Sequence, residues 1–159
     1  MDRLLREIER AYRRDLLRFV RLAQAIVGDR GRAEEVVHDA FANAIRSRTA
    51  FRGDGPIDAW LWRTVINAAR RAVRDAEPRA IAGEADSFVD PPSAALESVS
   101  PLVAQLPERQ RLVVFLRYYA DLDYRGIAGV LDVTVGTVSA SLAAAHATLR
   151  NALEATSHG

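Results

Sequence analysis

Apolar residues return every three or four positions almost from one end of this chain to the other, and nowhere does apolar/polar alternation persist. That is the period of a helix with one buried stripe, so the fold is expected to be all-α. The first stripe is Leu5, Ile8, Tyr12, Leu16, Phe19, Ala23 and Ile26, on a helix expected from about Asp2 to Val27. Gly28-Asp29 stops it, and GDRG reads as a turn. A second helix is expected from about Arg32 to Arg46, with Val37, Phe41 and Ala44 inward, and a third from about Ile57 to Ala76. Between them SRTAFRGDGP, Ser47 to Pro56, has loop composition.

The stretch EPRAIAGEADSFVDPPSAALESVS, Glu77 to Ser100, loses the periodicity and is rich in Pro, Ala, Ser and acids. It reads as a flexible linker with room for a short helix after Pro92. Beyond it, Pro107 suits a first helical turn, and the helix it opens should reach about Tyr119. Asp121 to Asp123 is a turn, Asp123 caps a short helix through Leu131, and Thr134 caps a last helix from about Val135 to Ala155. The segment from Leu106 to Leu149 is thus a helix-turn-helix. The expected architecture is a three-to-four-helix domain at 1–76, an acidic linker at 77–100 and a helix-turn-helix domain at 101–159.

Composition narrows the function. The chain has 159 residues, no Cys and three His, so a disulfide framework and a thiolate metal site are excluded. His38, His146 and His158 are scattered, and neither metal nor cofactor is expected. No apolar run approaches the roughly 18 residues of a membrane span, and no signal segment is visible, so a cytoplasmic protein without membrane contact of its own is expected. P-loop, G-x-S-x-G and H-E-x-x-H patterns are missing, and catalysis is not expected. The net charge of +1 hides an asymmetry. Positions 1–79 hold 17 Arg against 12 acids, 80–100 hold four acids and no base, and 101–159 hold five of each. The basic surface belongs to the first domain.

On the third helix Leu61, Val65, Ala68 and Ala72 form one apolar face. Arg63, Asn67, Arg70 and Arg74 follow the same steps two residues later, about 200° round the helix. A cationic stripe with one Asn suits a nucleic-acid backbone and a base edge, and a solvated surface equally well. Phe51, Trp60 and Trp62 concentrate aromatics beside the Gly-rich loop, as in sites that stack single-stranded bases. For at least one of the two tryptophans, packing is the expected role. On the second helix Glu34, Glu35, His38 and Asp39 form an acidic face, which fits a protein partner bearing Arg or Lys as well as plain solubility.

These segments together resemble the bacterial RNA polymerase sigma factors of the sigma-70 family, in their smallest class, the extracytoplasmic function (ECF) factors. AEEVVHDAF, Ala33 to Phe41, is similar to the helix that grips the clamp helices of the largest polymerase subunit, with His38 where the family usually has Gln. That change keeps hydrogen bonding but alters its geometry and response to pH. AWLWRTVINAARRAVRD, Ala59 to Asp75, resembles the segment that opens and reads the minus-ten element; Ile66 stands where an Arg usually precedes Asn67. LPERQRLVVFLRYYADLDYRGIA resembles the start of the fourth sigma region, with Gly126 in place of the usual Glu. The reading helix departs most. Val138, Leu142, Ala145 and Leu149 keep the inward pattern, but outward Lys and Arg positions have become Ser139, Ser141, Ala144 and His146.

The resemblance implies three sets of contacts. Minus-ten DNA would meet Phe51, Arg52, Gly53, Asp54, Trp62, Arg63, Asn67, Arg70, Arg71 and Arg74. Core polymerase would meet Glu34, Glu35, His38, Asp39 and Ala42, with the second domain on the flap. The minus-thirty-five element would meet Arg125, Thr134, Val135, Gly136, Thr137, Ser139, Ala140, Ser141 and His146, weakly, because each lost phosphate contact removes nearly one unit of salt slope. The implied partners are core polymerase, promoter DNA and an anti-sigma factor. Two other readings stay open: a degenerate sigma-like interaction module, motivated by the neutral last helix, and a stand-alone helix-turn-helix regulator, which explains only the last third.

Overall fold

In the computed structural model, which describes residues 2–53, 55–76 and 100–157, helix follows helix and no strand occurs among the described residues. The chain divides into two compact units, Met1–Phe88 and Val89–Gly159. Asp54 and residues 77–99, which include the expected linker and its short helix, lie outside the described residues.

Among the described residues, three α-helices build the first unit. Helix α1, Arg3–Val27, opens on Asp2, whose carboxylate accepts from the Leu4 N–H at 3.1 Å. It closes on Gly28 at φ 86°, a left-handed conformation that a glycine adopts without strain. Helix α2, Arg30–Arg46, starts two residues earlier than expected. Asp29 caps it, accepting from the Arg32 N–H at 2.9 Å, so Gly28 and Asp29 alone reverse the chain and Gly31 is already helical. A 3-10 turn at Arg48–Ala50 interrupts the expected loop, and helix α3 spans Ile57–Ala76.

These helices meet at an aromatic cluster. Phe41 of α2 lies edge-on to Tyr12 and Phe19 of α1, both at 5.0 Å, and Phe19 stacks on Trp62 of α3 at 4.1 Å. Leu16 is not part of this core and is 37% exposed. The buried line of α1 runs through Ile8, Ala11, Asp15, Phe19 and Leu22, and at 100° per residue Leu16 falls about 80° away from Ile8. Asp15 is the one buried acid among the described residues, answered by the Arg14 Nε at 2.9 Å and by Arg18 at 3.6 Å. Arg14 also bridges to Asp58 at 3.0 Å, fastening the first turn of α3 to α1, while Arg32 donates to the Ala72 carbonyl near its other end.

The second unit holds helix α4, Ser100–Ala104, which takes in the last residue expected of the linker, then α5, Glu108–Tyr118, α6, Tyr124–Leu131, and α7, Val135–Ser157. Leu112 and Leu116, Ile127, Val138 and Leu142 bring α5, α6 and α7 onto one core. Asp123 caps α6 by accepting from the Gly126 N–H at 2.7 Å, and Asp132 at φ 56° turns the chain out of it. Arg117 braces the turn from α5 to α6, donating to the Leu122 carbonyl and lying 5.9 Å over the Tyr124 ring.

Candidate nucleic-acid and partner surfaces

The buried face of α3 is Leu61, Trp62, Val65, Ile66 and Ala69, whereas Ala68 and Ala72 are only half-buried. Its centre is therefore rotated by about 60° from the expected Leu61–Val65–Ala68–Ala72 line. The cause is size: Trp62 and Ile66 remove far more apolar surface from water than two alanines can. Trp62, expected among the DNA-binding residues, is 2% exposed and stacked on Phe19, so neither ring face is open to a base.

The outward face turns with it. Trp60, Thr64, Asn67, Arg71 and Arg74 now lie within an arc of about 80°. Asn67, Arg71 and Arg74 are exposed. Arg63, also exposed, and Arg70, half-buried, flank this line rather than lead it. Trp60 is the residue that stripe counting missed. Its ring lies 5.5 Å from Phe51 at the mouth of the loop, and both are half-buried, leaving one aromatic pair on the face that carries Asn67 two turns further on. The signal that could have found it is that Trp60 and Asn67 are seven residues apart, two helical turns on one face. Arg52 and Gly53 are exposed in the same loop, and Gly53 adopts φ 76°, where a side chain would be strained. Aromatic pair, exposed loop, Asn and arginines form a surface able to stack bases and hold phosphates.

On α2, burial of Ala33, Val36, Val37, Ala40, Phe41 and Ala44 forces Glu34, Glu35, His38 and Asp39 outward. All four are exposed, Ala42 is half-buried beside them, and Ile45 continues the face at 38% exposure. Glu34 holds Arg30 at 3.2 Å, a solvent-exposed pair that a stronger cationic partner can displace.

In the second unit Thr134 caps α7, accepting from the Thr137 N–H at 3.1 Å, and the two hydroxyls bond each other at 2.9 Å. The Thr134 and Thr137 hydroxyls, two of the four expected to contact DNA, are thus committed to the helix start. Ser141 is half-buried, and the Tyr118 hydroxyl meets His146 Nε2 at 2.9 Å, which ties α5 to α7. Arg125, Val135, Gly136, Ser139 and Ala140 remain exposed. The outward line of α7 is Gly136, Ala140, Ala143 and Ala147, all exposed and none able to bind a phosphate by its side chain. No single helix among the described residues is long and apolar enough to cross a membrane.

Two family models match the chain in order: Sigma-70 region 2 over residues 10–79 and Sigma-70 region 4 over residues 96–149. The RNA polymerase sigma-H factor of Pseudomonas aeruginosa is 30% identical, with 97% of this chain and 92% of the relative covered. The ECF RNA polymerase sigma-E factor of Escherichia coli is 28% identical over 78% of this chain and 75% of its own length. Among solved structures, the sigma factor RpoE bound to the anti-sigma factor NepR, from Bartonella quintana, aligns with a TM-score of 0.76 at 17% identity, covering 93% of this chain and 97% of that one. CnrH, solved with the cytosolic domain of CnrY, aligns at 0.71 and 24% identity, covering 95% and 90%.

Proposed function

Because the chain belongs to the sigma-70 family, in its ECF class, we propose that it directs core RNA polymerase to specific promoters and that its two units divide the work unequally. The domain at 1–76, within the first unit, docks on the clamp helices of the largest polymerase subunit through Glu34, Glu35, His38 and Asp39. It holds the melted minus-ten strand on the loop from Phe51 and on Trp60, Asn67, Arg71 and Arg74, with Arg63 and Arg70 at the flanks. The second, from residue 101, docks on the polymerase flap and touches the minus-thirty-five element lightly through Arg125, Ser139 and the helix start at Val135. The acidic stretch at 77–100 links them. The site of action is the cytoplasm, where polymerase is.

One observation carries this reading: α2 and α3 expose an acidic face and an aromatic-Asn-Arg face on the same small bundle, in the order that the family match requires. Control by an anti-sigma factor is supported by the similar folds of RpoE and CnrH, the first solved with its anti-sigma factor and the second with the cytosolic domain of CnrY. The Gly/Ala face of α7 favours a second reading, a sigma-like module that occupies polymerase without choosing promoters.

In vitro transcription with core polymerase on a random promoter library decides between them. Discrete start sites enriched for one minus-ten sequence are expected. Core binding without specific transcripts would establish the second reading, and absence of core binding would end both.

A further inference from the structure

The first unit has three sides, and the reading above uses two. The third belongs to α1, the most basic helix of the chain, with seven arginines against three acids where α3 has four against two. Its charges are sorted by face. With Ile8, 1% exposed, marking the inward line, Arg6, Arg10 and Leu17 lie within about 20° of the outward line at 100° per residue. Arg3, Arg13 and Arg21 lie within about 40° of it, Glu7 and Glu9 sit about 80° to either side, and Asp15 is buried. The exposed ridge, Arg3, Arg6, Arg10 and Arg13, runs about 15 Å at 1.5 Å per residue, and half-buried Arg21 lies two turns beyond it.

Internal ion pairing does not consume this charge. Glu7 takes Arg3 at 3.1 Å and Glu9 takes Arg13 at 2.8 Å, exposed pairs worth little in water. Arg6 and Arg10 are exposed and have no acid partner among the described residues. The ridge is also a poor match for a protein. Such an interface needs a desolvated apolar centre, and Leu17, 49% exposed, is the single large apolar side chain on the line. From Arg3 to Arg21 the outward line carries no aromatic to stack an unpaired base and no Asn or Gln to read a base edge. Guanidinium groups repeated along a rigid rod fit phosphates along a duplex.

We propose that the outward face of α1 is a second DNA-binding surface, which holds the phosphate backbone of duplex DNA without reading its sequence. The proposal rests on the promoter-binding reading of the chain, to which it adds a grip on duplex beside the strand held by α3. The test is fluorescence anisotropy of the full chain on duplex DNA lacking any promoter, across a salt series, for wild type, R6A/R10A and R6K/R10K. Two lost phosphate contacts should make log K against log salt shallower by about 2. Low-salt affinity should drop on the order of tenfold, while R6K/R10K stays close to wild type. Core polymerase capture by R6A/R10A should match wild type.

An unchanged salt slope in R6A/R10A would overturn the proposal, and so would loss of core capture with DNA binding intact, which would make the ridge a protein contact. The slope change is independent of transcription. A chain that gives no specific transcripts yet loses slope in R6A/R10A would keep the α1 surface and lose the sigma reading.

Discussion

Phe19 and Trp62 stack with ring centroids 4.1 Å apart and planes inclined by 35°, joining α1 to α3 at the centre of the first unit. Trp60, two residues earlier, faces the loop and pairs with Phe51 at 5.5 Å. The two tryptophans should therefore separate stability from function. Trp62→Ala opens a cavity against Phe19 in the buried core and should cost about 3 to 5 kcal/mol in urea denaturation. Trp60→Ala should cost clearly less and instead weaken binding to single-stranded minus-ten DNA by about 1 to 3 kcal/mol. If Trp60→Ala proves the more destabilising change, the assignment of the two rings is reversed.

Asp2 performs two tasks at the start of α1. It accepts from Arg48 Nε at 2.7 Å, across from the turn after α2, and from the Leu4 N–H at 3.1 Å. The Arg48 hydrogen bond, and then that of Leu4, hold its carboxyl below the usual carboxylate range. A lowered native pKa contributes stability that is present above the unfolded pKa and is lost as pH falls through the native one. Asp2→Asn should thus lower the melting temperature near neutral pH, and the gap from wild type should close as the solution is acidified past the carboxylate range. A gap constant across that acid range would contradict this role.

Helices, turns and caps were legible because short-range chemistry decides them. Gly28 closes α1, Asp123 opens α6, and Thr134 opens α7, each at the expected place. Faces were less legible. Counting steps on α3 weighted Ala68 and Ala72 equally with larger neighbours, but burial is proportional to area, so Trp62 and Ile66 rotate the helix. For the same reason Trp62 left the candidate site and Trp60 entered it. In α1 the step count admitted Leu16 and could not anticipate a buried Asp15, whose place depends on Arg14 and Arg18 neutralising it. The commitment of His146 to Tyr118 depends on a partner on another helix, which no single-helix pattern reveals.

The bare face of α7 can be refilled. Ser139 is exposed, whereas Ser141 is half-buried, so Ser139→Arg is the cleaner single change. It should add one phosphate contact, steepening the salt dependence of duplex binding by about 0.9 and raising promoter affinity at low salt. Ser141→Arg should add less and cost stability. Filter binding to promoter duplex across salt checks both, and no gain from Ser139→Arg would mean that α7 does not approach the duplex at all.

The rotation of α3 carries the last prediction. If the outward line is Trp60, Asn67, Arg71 and Arg74, then Arg71 rather than Arg70 faces the opened strand, since Arg71 is exposed on that arc and Arg70 is half-buried at its flank. A charge-assisted hydrogen bond is worth about 1.5 to 3 kcal/mol, which is roughly 10- to 150-fold in an opening equilibrium. Arg71→Ala should therefore reduce strand opening at a cognate promoter by at least about tenfold, read by permanganate reactivity of unpaired thymines in the holoenzyme complex. Asn67→Ala should change which bases are preferred more than how tightly the strand is held, because an amide reads base edges and carries no charge. Both variants should recover on a template opened in advance only as far as their lost contacts served melting rather than holding. A larger opening defect in Arg70→Ala than in Arg71→Ala, at equal folded fraction, would return the DNA face to the line that simple spacing favours.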